Sequence, residues 1–283
     1  MYHEYVPLTF ASSITRYSIV SLCGCSPNSC CCILAGYEEL GVGLDVAAEV
    51  LRDADVMDLM IKMLYCACKA GRIELAFPDS IQVQTADGTE HSFLRRGEQN
   101  RELLTQIVDL IPSVNDMMAL AQNGNLRVHL DDLHPLLYPL LRWLISSNRA
   151  HLRRLAPEEE VKGLGTSHQF VLLTGPVERE SHFQQLKAET AKTKGEGSIF
   201  AFHGSSSGNW HSILRLGLKN YSNTKYMSAG AAYGVGVYFA THMSTSLGYC
   251  TRYGASGWPR SRFGGGCAFM ALCELINRPE EYT

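Results

Sequence analysis

The chain has 283 residues, 46% hydrophobic and 19% charged, with a formal net charge of −3. That balance supports a packed core of one large or two ordinary domains and excludes an intrinsically disordered chain. There is no basic stripe for nucleic acid, and no stretch reaches the roughly eighteen uninterrupted apolar residues of a membrane span. No nucleic-acid or membrane partner is therefore expected.

The most apolar early stretch, YSIVSLCGCSPNSCCCILAGY, is broken by Ser26, Pro27, Asn28 and Ser29, and it lacks the basic start of a secretory signal. An intracellular location, cytoplasmic or nuclear, is the expectation. Five of the ten cysteines fall in Cys23-x-Cys25-x4-Cys30-Cys31-Cys32, and Cys66-x-Cys68 follows. Paired thiolates that share a zinc ion are usually two to four residues apart, so adjacent and alternate cysteines reach one ion poorly. Buried free thiols are favoured over a metal site, and no metal is expected.

Up to about residue 155 the pattern is mainly helical. Asp55 with Asp58 reads as a helix N-terminal cap, and Met57, Met60, Ile61, Leu64 and Cys68 make one apolar stripe ending at Gly71. IELAFPDSIQVQT is strand-like, punctuated by Pro78. Leu103, Leu104, Ile107 and Leu110 form a second stripe. Pro112-Ser113 opens a short helix that stops at Asn123-Gly124, and LHPLLYPLLRWLISSN reads as a buried helix with Pro139 at a kink or in its first turn. Residues 156–196 mark a change of composition: Glu158-Glu159-Glu160 and the Lys/Glu/Thr stretch 187–196 read as solvated loop or edge around a strand in HQFVLLT. Beyond Ser198 the texture is β-rich and glycine-rich. SIFAFH, GVGVYFA and CAFMALCELI are strand candidates, and NWHSILRLG and HMSTSLGYC are short helices.

Several chemistries fail on order or spacing. Gly230-x3-Gly234-x-Gly236 precedes a strand, whereas a dinucleotide fingerprint follows one and opens a helix. The zinc-deaminase signature is absent, and no cysteine or histidine lies in a nucleophile signature. Gly204-Ser205-Ser206-Ser207-Gly208 resembles a serine-hydrolase elbow centred on Ser206, but with no evident acid partner it is a remote rival. A pocket for a flat, amide-bearing cation fits better. His203 offers ring nitrogens at a strand end, and Gly204 exposes backbone without a Cβ. Gly234 and Gly236 let the chain pass close before Tyr238. Ser246 and Tyr249, three apart on a helix, share a face that presents a hydroxyl and a stacking ring. Blander readings stand beside this: His203 as a strand-end histidine bonded to backbone, and Tyr238 as a core strand residue.

Taken together, FAFHGSSSGNWHSILRLGLKN, GAAYGVGVYFA and the serines and GYC of the following helix resemble the catalytic domain of poly(ADP-ribose) polymerase-type (diphtheria-toxin-like) ADP-ribosyltransferases. The nearest branch transfers single units and carries a cysteine-containing helical region upstream. The resemblance covers residues 125–278 closely and 20–120 loosely. It implies an α+β fold, with a mainly helical region at 1–155 and a split β-sheet ADP-ribosyltransferase domain at 156–283. It also implies NAD+ as substrate, with no metal, and a protein acceptor that is another chain or the protein itself. By the same resemblance His203 bonds the nicotinamide ribose, Gly204 pairs its backbone with the carboxamide, and Ser246 adds a second bond there. Tyr249 stacks on the nicotinamide, Tyr238 closes the pocket, and Ser205 and Asn209 lie towards the adenosine ribose. His203 and Tyr238 are the expected catalytic pair.

The family places a third triad residue on a later strand, glutamate for polymer and an aromatic or aliphatic residue for single units. The sequence reaches Thr283 before such a strand, so the domain is expected to be C-terminally incomplete. Glu274 lies on the preceding strand and is not expected to be catalytic. Two functions follow: a mono-ADP-ribosyltransferase, or an inactive NAD-binding or interaction module.

Overall fold

The computed structural model describes residues 16–17, 45–148, 152–172, 177–227, 234–250, 257–264 and 268–281. The cysteine cluster 23–32, Gly230 and the end of the chain at 282–283 lie outside them.

Among the described residues the first half is built around one helix. After α1 (Val46–Arg52), α2 (Ala54–Lys69) begins at Asp53, whose side chain accepts from the Val56 N–H at 3.0 Å. The cap is thus Asp53 and not the expected Asp55/Asp58 pair. Asp55 instead pairs with Arg154 and Arg262, and Asp58 sits a full turn inside the helix with no exposure. The expected stripe is present, yet α2 is buried on every side from Val56 to Cys68, because other elements wrap it. These are α3 (Arg101–Leu110), α4 (Val114–Gln122) and α6 (Leu137–Ser146), with α5 (Leu126–Leu133) between the last two. Ser113 caps α4 by accepting from Asp116 N–H at 3.1 Å, and Pro139 stands in the first turn of α6, where its missing N–H costs no helix bond. The expected strand around Pro78 divides into a 3-10 turn (Glu74–Ala76) and β2 (Gln82–Gln84), which pairs with β3 (Glu90–Ser92). A small ladder of β4 (Leu94–Arg95) and β5 (Glu98–Gln99) follows.

Two buried charges on α2 hold a distant loop. Asp58 accepts from Ser261 Oγ at 2.5 Å and from the Arg262 N–H at 2.8 Å, and Lys62 Nζ donates to the Gly264 carbonyl. Burial pushes the Asp58 carboxyl up, and those two bonds offset only part of that rise. Arg260 adds a bond of 2.7 Å to the Asp109 carbonyl at the C-terminal end of α3.

The second half opens with β6 (Leu152–Arg154) paired antiparallel to β7 (Phe170–Leu172). The charged stretch 187–196, expected as loop, is mostly helix: α7 runs Val177–Lys194. Its sequence lacks an apolar stripe, and what holds it is polar: Gln184 to Glu180 at 2.8 Å, Gln185 to Glu189 at 2.9 Å, and Lys187 to Glu274 of the sheet at 2.5 Å. Phe183, with no exposure, is its apolar anchor.

The main sheet has the order β1 (Arg16–Tyr17), β9 (Met270–Ile276), β8 (Ser198–Gly204), all antiparallel, with Ser198 opposite Ile276 and Gly204 opposite Met270. On the other edge of β8, Phe202 exchanges both backbone bonds with Ala240, at 2.7 and 2.9 Å. Here the expected strand GVGVYFA is reduced to an isolated bridge. The next ladder step would use the Tyr238 backbone, and its carbonyl accepts instead from the His203 ring at 2.9 Å. A 3-10 turn (Ser207–Asn209) leads into α8 (Trp210–Leu216), and α9 (Met243–Cys250) lies across β8.

Buried apolar residues from both sides of position 155 join in one cluster, from Val46 to Leu275. The seam includes Arg215 of α8, which is 8% exposed. It donates to Ser147 Oγ (3.0 Å) and the Leu144 carbonyl (2.9 Å) of the helical half, and to His211 Nδ1 (3.1 Å), and it lies over the Trp143 ring.

Candidate active site

A cavity of about 470 Å³ opens where β8, α8, α9 and the end of α2 meet. His203, Gly204, Ser205, Asn209, Tyr238, Ser246 and Tyr249, scattered over 47 positions of sequence, all line it. What the sequence singled out as one site is one place.

The His203 ring packs against Phe239 (centroids 5.5 Å) and Trp210 (6.4 Å). Burial holds its pKa below the ordinary histidine value, so near neutral pH the imidazole is uncharged. A carbonyl can only accept, so the bond to Tyr238 O places the proton on Nδ1. Nε2 is left as a lone-pair acceptor, suited to a hydroxyl donor. Part of the bland reading of His203 is therefore correct: the residue is bonded to backbone, and that bond sets its tautomer.

Gly204 follows on the strand. Strand backbone alternates direction, so its N–H and C=O point to the same edge as those of Phe202, away from β9 and towards the cavity side. Glycine is required here for packing as well: a Cβ would stand 1.9 Å from the Ser246 carbonyl oxygen and 3.1 Å from Cys250 Sγ. Close seating of α9 on β8 brings Ser246 to the cavity. Ser246 is 4% exposed, and its hydroxyl donates to the Phe202 carbonyl at 2.8 Å, which leaves the oxygen as an acceptor. Tyr249, three residues on, lines the cavity from the same helix. Tyr238 is half-buried, and its hydroxyl donates to the Gly234 carbonyl at 2.5 Å.

The turn after β8 is held from inside. Trp210, fully buried, donates its indole N–H to the Ser205 carbonyl at 3.0 Å, and Asn209 Nδ2 donates to Ser205 Oγ at 2.9 Å. Ser206, at the centre of the elbow-like motif, is buried with 8% exposure and stands at the start of the 3-10 turn without a side-chain capping bond. Glu274 does not line the cavity. It is 5% exposed on β9 and accepts from Lys187 Nζ (2.5 Å) and Ser198 Oγ (2.6 Å).

Two walls were not foreseen. One comes from the helical half: Ala70, Gly71, Arg72, Glu74 and Leu75. The other is the loop after α8, with Lys219, Tyr221, Ser222, Lys225 and Tyr226. Glu74 joins the two walls, paired with Lys225 and, at 3.3 Å, with Arg101. The only sequence signal for the first wall is Gly71, which stops α2 and turns the chain towards the site. Cys66 and Cys68 are buried, and burial pushes the Cys68 thiol up. Among the described residues no group of three His, Cys, Asp or Glu side chains is placed to hold a metal ion, and no helix is long and apolar enough to cross a membrane.

Residues 167–275 match the family described as "Poly(ADP-ribose) polymerase catalytic domain". Over that segment the chain is similar to PARP-type ADP-ribosyltransferases. It is 36% identical over 218 residues to the protein mono-ADP-ribosyltransferase PARP8 of human and of mouse, covering 77% of this chain and 25% of those proteins. To human protein mono-ADP-ribosyltransferase PARP16 it is 27% identical over 233 residues, 81% of this chain and 66% of that protein. The chain thus spans about a quarter of the PARP8 relatives and about two thirds of PARP16. The matched segment contains each of the site residues above, from His203 to Tyr249.

Proposed function

We propose that the cavity binds NAD+ and that the protein transfers single ADP-ribose units from it to a protein acceptor, releasing nicotinamide. One observation carries this reading: on one wall stand a neutral imidazole with a free acceptor nitrogen, an open strand-edge glycine, a serine oxygen and a tyrosine ring. In that reading the carboxamide oxygen accepts from the Gly204 N–H, and the carboxamide NH2 donates to the Gly204 carbonyl and to Ser246 Oγ. Tyr249 stacks on the pyridinium, Tyr238 bounds its other face, and His203 Nε2 accepts from a ribose hydroxyl. Ser205 and Asn209 lie towards the adenosine side.

The chemistry asks little more of the protein. The C1′–N glycosidic bond breaks with its electron pair passing to the pyridinium nitrogen, so nicotinamide leaves neutral. The oxocarbenium-like C1′ is then taken by an acceptor nucleophile, which loses its proton to solvent. Amide bonds that hold the leaving group in a fixed plane, and an open ribose face, are the contributions of this wall. The third triad residue is proposed to lie outside the elements that form the cavity here.

The second reading, an NAD-binding module without turnover, is favoured by the cavity's carboxylates. Among the described lining residues the only one is Glu74, tied to Lys225 and Arg101, and Glu274 is turned towards α7. Incubation with adenine-labelled NAD+ separates the two. Covalent label on the chain or an added protein acceptor supports transfer; saturable binding of NAD+ with no covalent label sinks the enzyme reading.

A further inference from the structure

Of the charged side chains among the described residues that line the cavity, Glu74 and Lys225 neutralise each other, and two cations remain, Arg72 and Lys219. Arg72 is the more constrained. α2 ends in a left-handed turn, with Gly71 at φ +65°, the Gly71 N–H bonded to Cys68 O at 3.1 Å and the Arg72 N–H bonded to Ala67 O at 2.8 Å. This is a Schellman closure, and it fixes where residue 72 leaves the helix. The Arg72 stem then packs beside the turn after β8: a Cβ on Gly208 would stand 3.4 Å from Arg72 Cγ and 2.7 Å from Ala70 Cβ. Gly208 thus lets the helical half come close to the Ser205–Asn209 turn. Arg72 is half-buried on the cavity wall, and among the described residues its guanidinium makes no hydrogen bond or ion pair. Close by on α8, four residues after Gly208, the buried Ser212 hydroxyl also lacks a partner among the described residues.

A half-buried arginine without a carboxylate leaves its guanidinium open to a ligand, and the planar fork matches paired anionic oxygens. We propose that Arg72, carried by the helical half, binds the diphosphate of the dinucleotide, so that this half is a working wall of the site. This rests on the reading that the cavity takes NAD+, and it places the nicotinamide at the His203–Tyr249 end and the phosphates over the Ser205–Asn209 turn.

The test compares wild type with Arg72→Gln and Arg72→Lys by calorimetric titration with NAD+, ADP-ribose and nicotinamide. Loss of a charge-assisted bond predicts that Arg72→Gln weakens NAD+ and ADP-ribose by about tenfold or more. Nicotinamide, which has no phosphate, should bind unchanged, and Arg72→Lys should recover part of the loss. The weakening of NAD+ binding by added salt should also be shallower in Arg72→Gln. Equal NAD+ affinity in wild type and Arg72→Gln overturns the inference while leaving the NAD+ reading intact. A parallel loss of nicotinamide binding in Arg72→Gln overturns it too, because the residue would then only shape the wall. Failure of wild type to bind either ligand refutes the NAD+ reading itself.

Discussion

Replacement of Gly204 by alanine adds one methyl group at the tightest contact in the site. The new Cβ would lie 1.9 Å from the Ser246 carbonyl oxygen, 2.8 Å from its carbonyl carbon and 3.1 Å from Cys250 Sγ. The first two are backbone atoms, so no side-chain rotation relieves the clash. Either α9 retreats from β8 by about 1 Å or the strand buckles. Overpacking of this kind costs about 1–3 kcal/mol, and a clash with backbone belongs at the upper end. For a chain of this size, 3 kcal/mol corresponds to a fall in Tm of roughly 6–12 °C. The same retreat carries Ser246 and Tyr249 away from the nicotinamide end, so affinity for nicotinamide and NAD+ should fall together. Differential scanning calorimetry, followed by titration below the new Tm, reads both effects. A Gly204→Ala protein that melts within about 1 °C of wild type and binds NAD+ equally would refute the argued packing of α9 on β8.

Three other expectations follow from the buried polar groups. Arg215→Met keeps the bulk but strands Ser147, the Leu144 carbonyl and His211, and should cost about 3 kcal/mol or more in urea denaturation with little change in m. Glu274→Gln should lower stability by about 1–2 kcal/mol through the lost Lys187 pair, yet leave NAD+ affinity and nicotinamide release unchanged; a loss of turnover with stability intact would show that Glu274 is misassigned. His203 and His211 are both held by burial below the ordinary value of 6.5, so the folded state keeps them neutral while the unfolded chain takes protons. Stability from both is complete above about pH 6.5 and is lost as pH falls, by at most about 1.4 kcal/mol per pH unit for each. Denaturation midpoints from about pH 7.5 to pH 5 should show this slope, and His211→Gln should reduce it by about half.

That these residues line one cavity was legible from their order and spacing taken together, since each alone had a blander explanation. A strand ending in His203-Gly204 and followed by small polar residues needs close backbone approach, and the serine and tyrosine three apart on a later helix need a shared target. α7 was not legible: its Lys, Glu and Thr content is that of a solvated loop, and its helix is held by Phe183, by i to i+4 polar pairs and by a lysine whose partner lies 87 positions away. The strand GVGVYFA misled for a related reason. Its β-forming residues are real, but a histidine ring takes the carbonyl that a longer ladder would use. The cap of α2 was placed two residues late because Asp53, Asp55 and Asp58 are all plausible acceptors, and only their distant partners separate them: Arg154 and Arg262 for Asp55, Ser261 and the Arg262 N–H for Asp58. Nothing in the spacing of Gly71-Arg72 showed that the helical half would return to line the cavity, since that contact depends on Gly208, more than a hundred residues on.

The central claim is that this wall holds nicotinamide as a leaving group. Its most direct test is the rate of nicotinamide release from NAD+ by wild type beside Ser246→Ala, which removes one carboxamide acceptor and the Phe202 bond. The account predicts measurable release by wild type and a fall of about tenfold or more in the variant, with the fold retained. Equal release by both proteins would contradict it.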